Sequence, residues 1–103
     1  MSLIVTIERT VIPGSQRELT TFLRELLAEA IKESDMQSAE TVVDIRNPTT
    51  FLTITRWSSI AAWEKWEKNP DRLRTLRQVN RLLQGAPIFR YWNENADAPP
   101  AAG

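Results

Sequence analysis

Leu19, Phe22, Leu23, Leu26, Leu27 and Ala30 fall at i, i+3, i+4, i+7, i+8 and i+11, a single apolar stripe down one side of a helix. A helix of that kind is stable only against another apolar surface, so the rest of the chain has to supply one. The flanking segments have the makings of a sheet. Leu3 to Thr10 is rich in β-branched residues, with Leu3, Val5 and Ile7 on one face and Ile4, Thr6 and Glu8 on the other. Pro13-Gly14 closes this strand, and Ser15-Gln16-Arg17-Glu18 has the spacing of a capping box.

Beyond the helix, residues 36–46 carry a second strand, best defined at Thr41–Ile45. Asn47-Pro48-Thr49-Thr50 has turn chemistry, and Phe51 to Trp57 is a third strand, so 36–57 forms a hairpin. Ser58 or Ser59 caps a short helix through about Lys68. Asn69-Pro70-Asp71 restarts a helix whose buried side is expected at Leu73, Leu76, Val79 or Asn80, and Leu83, ending at Gly85. Pro87 to Trp92 gives the fourth strand. The order is β-α-β-β-α-β with a broken second helix: an α+β, ferredoxin-like arrangement with a four-stranded antiparallel sheet and helices on one face. The folded domain is expected over residues 1–93, with 94–103 a flexible C-terminal tail rich in Ala and Pro.

Helices on one face leave the other uncovered, yet the strands carry apolar residues on both: Ile4, Leu52, Ile54, Ile88 and Trp92 oppose Val5, Phe51, Trp57, Phe89 and Tyr91. A homodimer packed sheet to sheet covers that surface. At 103 residues the chain is one domain and gains from such association.

Composition removes several chemistries. There is no Cys and no His, so thiolate nucleophiles, disulfides, thiolate metal sites and the usual neutral-pH base are unavailable. Lys plus Arg equals Asp plus Glu at 13 each, which gives no global field toward nucleic acid or membrane. The start of the chain lacks a signal-peptide pattern and no apolar run approaches a membrane span, so a cytoplasmic location is expected. Locally, Lys65, Lys68, Arg72, Arg74, Arg77 and Arg81 face only Glu67 and Asp71 within 65–81. That run reads either as a solvated helix face or as a rim that attracts acids.

Four tryptophans are present, three of them within ten positions: Trp57, Trp63 and Trp66. They read either as core or as an aromatic wall around a pocket between helices and sheet. The run Phe51 to Trp66, followed by Asn69-Pro70-Asp71-Arg72, resembles the antibiotic biosynthesis monooxygenase (ABM) superfamily, in which a Trp-ended strand leads through a Ser-containing entry to a Trp-bearing helix. The opening strand, Pro13-Gly14 and the hairpin strand Ala39-Glu40-Thr41-Val42 are similar to it as well.

The resemblance implies a dimeric α/β barrel with a cavity in each subunit. It also implies a cofactor-independent monooxygenase acting on a flat aromatic or phenolic molecule, with no cofactor. The alternative is a non-catalytic small-molecule-binding or structural dimer. Haem degradation, known in the family, is disfavoured: Trp66 matches the working Trp, but the strand Asn falls at Ile7 and the His at Leu76. The departure at Ser34–Ser38, where relatives carry a Gly-aromatic pair, alters the expected pocket floor.

The catalytic candidates are Trp66, Arg56 and Glu8, the last as a base if burial raises its pKa. Trp57, Trp63, Trp66 and Tyr91 are candidates to stack a ring. Arg90 or Arg56 would stabilise an anion, and Asn80 or Asn93 would donate a hydrogen bond.

Overall fold

A computed structural model describes residues 2–95, so the expected tail beyond Asn95 lies outside the described residues. The elements follow the expected order: β1 (Leu3–Thr10), α1 (Gln16–Ala30), β2 (Met36–Val43), β3 (Thr50–Trp57), α2 (Ile60–Glu67), α3 (Pro70–Asn80) and β4 (Ile88–Asn93). They build a four-stranded antiparallel sheet in the order β2-β3-β1-β4, the ferredoxin-like α+β arrangement.

Strand pairing fixes which residues share a face. Leu3, Val5, Ile7 and Arg9 of β1 stand opposite Trp57, Thr55, Thr53 and Phe51 of β3, and this face is buried under the helices. Tyr91 and Phe89 of β4 lie in register with Val5 and Ile7 on the same side. The core has two connected parts. One packs Leu3, Val5, Ile7 and Ala30 around Trp57, Trp63 and Trp66. The other packs Val11, Leu19 and Leu23 against Phe51 and Val79, beneath α1 and α3.

Local chemistry departs from expectation in four places. Ser15 makes no side-chain cap; Gln16 accepts the Gly14 N–H at 2.8 Å instead, so the Ser15/Glu18 box does not form. The strand β2 stops at Val43 because Asp44 Oδ1 accepts the N–H groups of Arg46 and Asn47, turning the chain and leaving Ile45 in solvent. The inward face of α3 is Arg72, Thr75 and Val79, with Leu76 packed beside them, while Leu73 is exposed. Finally, α3 ends at Asn80, before Gly85: residues 81–83 turn so that Leu83 bridges Val11, and Gly85 takes its left-handed conformation (φ 79°) beyond that bridge.

Two caps behave as their residues suggest. Ser59 Oγ accepts from Ala62 N at 3.1 Å to start α2, and Asn69 Oδ1 accepts from Asp71 N at 2.8 Å to start α3. The broken helix thereby folds as two pieces across one corner of the sheet. No helix among the described residues is long and apolar enough to cross a membrane.

The outer face of the sheet is uncovered in the single chain. Ile88, Trp92 and Val42 remain 46%, 48% and 44% exposed there, alongside Ile4, Leu52 and Ile54.

Candidate functional site

Trp57 lies at the bottom of the aromatic cluster. It is fully buried, and its indole N–H donates to Thr55 Oγ1 at 2.9 Å, which itself donates to the Val5 carbonyl at 3.0 Å. Trp66 stacks on it (centroids 6.2 Å apart, 28°) and Trp63 meets it edge-on (5.6 Å, 69°). Trp63 and Trp66, one turn apart on α2, reach past Trp57 and line a hollow between α1, α2 and the sheet. Its cavity volume is about 40 Å³, and the empty space reaches about 490 Å³ only when the open solvent at its mouth is included. Leu23, Leu26, Leu27 and Ala30 of α1 form one wall, and Ile7, Thr53, Thr55, Ala39 and Thr41 form the floor.

Glu40 and two arginines complete the lining. Arg9, on the inward face of β1, is 2% exposed; Arg72, in the first turn of α3, is 7% exposed. Arg9 Nη1 donates to Thr53 Oγ1 at 3.1 Å, and Thr53 shares a second hydrogen bond with Thr41 Oγ1 at 2.9 Å. Its Nε is buried with no acceptor, as is the Nε1 of Trp63. Arg72 lies over the Trp63 ring, 5.5 Å from its centroid, and donates to the Glu67 carbonyl at 3.0 Å.

Burial, and then the neighbouring Arg72 charge, pull the Arg9 pKa down to about 10. Burial lowers Arg72 as well, against the opposing fields of Glu67 and Tyr91. A folded-state pKa below the unfolded value means that the proton is held less tightly in the fold. The Arg9 charge therefore costs stability at every pH below about 10, with relief only as pH rises beyond that value.

The candidates named from sequence divide between places. Trp63 and Trp66 share the hollow. Trp57 underlies it as core, and half-exposed Tyr91 packs on the far side of Trp63 at 6.2 Å, in a separate depression. Glu8, Arg56 and Arg90 stand on the outer sheet face, away from the hollow, and Arg56 pairs with Glu94 at 2.7 Å. Asn80 and Asn93 are exposed at the ends of α3 and β4. Of the basic run at 65–81, Arg72 alone lines the hollow.

Sequence reasoning missed Arg9 and Arg72. The signals were present: Arg9 continues the inward alternation of Leu3, Val5 and Ile7, and Arg72 precedes Leu76 and Val79 by four and seven residues. Among the described residues, no group of three or more Asp or Glu is gathered as a metal site would need.

A model of the family described as antibiotic biosynthesis monooxygenase matches residues 2–78. Solved structures share the fold. A Pseudomonas aeruginosa protein, PA3566, is 25% identical, with 92% of this chain and 95% of that one covered at a TM-score of 0.81. SnoaB, a cofactor-independent oxygenase from Streptomyces nogalater, is 12% identical over 95% of this chain and 97% of its own, with a TM-score of 0.85. A conserved protein of Methanosarcina mazei is 13% identical over 92% and 94%, with a TM-score of 0.88. Among curated protein sequences none matches.

Proposed function

The chain belongs to the antibiotic biosynthesis monooxygenase family, and on that footing we propose that it oxidises a flat phenolic or aromatic small molecule with O2, without a cofactor. The observation that carries the reading is the hollow walled by Trp63, Trp66 and the apolar side of α1. Trp66 offers a stacking face, and Leu26 and Leu27 exclude water from the opposite side.

An anthrone-type substrate supplies its own electrons. Loss of a proton from its ring CH2 gives a carbanion conjugated with the phenol. That carbanion passes an electron to O2, and the pair recombines as a peroxide anion that takes a proton from water to become a hydroperoxide. Loss of the second C–H proton and of hydroxide leaves a ketone, so that CH2 plus O2 becomes C=O plus H2O. Arg9 and Arg72 favour the ionised substrate electrostatically, and the first proton leaves to water at the mouth. Glu8, on the outer face, has no part in this step.

A second copy covering the outer sheet face belongs to the same reading, since Ile88, Trp92 and Val42 are otherwise half exposed. The fold would then act as a homodimer in which each subunit keeps its own hollow.

Oxygen uptake with an anthrone-type phenol tests the activity. Wild-type chain is expected to exceed the uncatalysed rate clearly. Leu26→Trp, which fills the hollow from α1, is expected to return it to the uncatalysed rate with the fold retained by circular dichroism. Equal rates for the two proteins would sink the reading.

A further inference from the structure

We propose that Arg9 and Arg72 form a carboxylate-binding site in the wall of the hollow, and that the molecule it accepts is a flat aromatic acid. This rests on the reading of the hollow as a ligand site and deepens it by naming the chemical class of the occupant.

The first ground is the missing counter-ion. The ion pairs among the described residues are Lys32–Glu29, Arg56–Glu94, Lys65–Glu33 and Arg74–Asp71; neither buried arginine takes part. Glu67 exerts its field on Arg72 but meets it only through its carbonyl, and Glu40, at the edge of the hollow, pairs with neither. Two guanidinium groups in a mostly apolar wall with no carboxylate paired to either are a costly arrangement, and a buried charge left unpaired favours taking up its opposite.

The second ground is the supply of donors. Arg9 Nε is buried, has no acceptor and belongs to a side chain that lines the hollow. Thr53 takes only Nη1 of that guanidinium, which leaves Nε, on the edge whose fork suits a carboxylate, without an acceptor. The Nε1 of Trp63, a residue that also lines the hollow, is likewise buried without an acceptor. The third ground is the rest of the surface: beyond the arginines, the threonines and Glu40 at the edge, the walls are Ile, Leu, Ala and Trp residues, which suit an aromatic body and do not suit inorganic phosphate.

Calorimetric titration with 2-naphthoate, 2-naphthamide and inorganic phosphate tests the proposal. The acid is expected to bind about tenfold or more tightly than the isosteric amide, and phosphate not to compete with it. Arg9→Met is expected to remove the preference for the acid while raising the melting temperature of the free protein, because it deletes an unpaired buried charge. A purely structural arginine would give the opposite shift. Arg72→Met supplies an independent variant, and the comparison of acid with amide in wild type needs no variant at all. Equal binding of acid and amide, displacement of the acid by phosphate, or an unchanged preference in both variants overturns the proposal. Acid binding without oxygen uptake sinks the oxygenase reading and leaves the site standing; uptake with no preference for acids does the reverse.

Discussion

Thr55 shows how closely one residue ties the tryptophan cluster to the sheet. Its hydroxyl donates to the Val5 carbonyl and accepts from the Trp57 indole, so one buried side chain satisfies polar groups of two strands. Thr55→Val keeps the shape and leaves the Trp57 N–H without an acceptor. The expected cost is about 1–3 kcal/mol, read as a lower urea midpoint with an unchanged slope. Trp57 itself was legible in sequence as an aromatic at a strand end, but not as core rather than pocket wall. That distinction depends on which side of it α2 crosses, and periodicity within one segment does not contain it. Arg9 is the converse case: its face was legible from alternation, yet charge argued for solvent.

Elements were more legible than sites because their signals are local. The stripe on α1, the Ser59 and Asn69 caps and the turn at 47–50 each depend on residues within one or two turns of chain. The side of α3 that faces inward was not legible. Burial at Arg72 and Thr75 instead of Leu73 is decided by the corner that α2 and α3 make together, a tertiary constraint that overrides the apolar count. Asn69 holds that corner twice over. Its oxygen caps α3 at Asp71 N and Arg72 N, and its Nδ2 donates to Glu33 Oε1 at 3.0 Å beside α1. Asn69→Ala is expected to cost about 1–2 kcal/mol in urea denaturation. Asn69→Asp should recover only part of it, because it restores the cap but sets a second carboxylate against Glu33.

At the scale of the whole molecule, the sheet has one face committed to the helices and one with an apolar centre. The charges on that outer face, Glu8, Arg56 and Arg90, were candidates for chemistry when only the sequence was considered; strand register sets them beside Ile4, Ile54 and Ile88 instead. Sedimentation of the wild-type chain at micromolar concentration is expected to give a dimer. Ile88→Glu, which sets a charge on the edge strand of the apolar face, is expected to give a folded monomer. A wild-type chain that sediments as a monomer would remove the sheet-to-sheet pairing from the functional reading without touching the hollow on the other side.

The strand order has a consequence for how the chain is made. The first strand emerges with its two neighbours still to come: β3 arrives on one side after the hairpin, and β4 on the other only when nearly the whole described chain has been synthesised. Until then β1 presents an open row of backbone donors and acceptors next to Ile4 and Ile7, the kind of edge that recruits strands from other chains. The six residues 88–93 therefore act as a latch as well as a strand, and a nascent chain halted before them would be the species most exposed to aggregation.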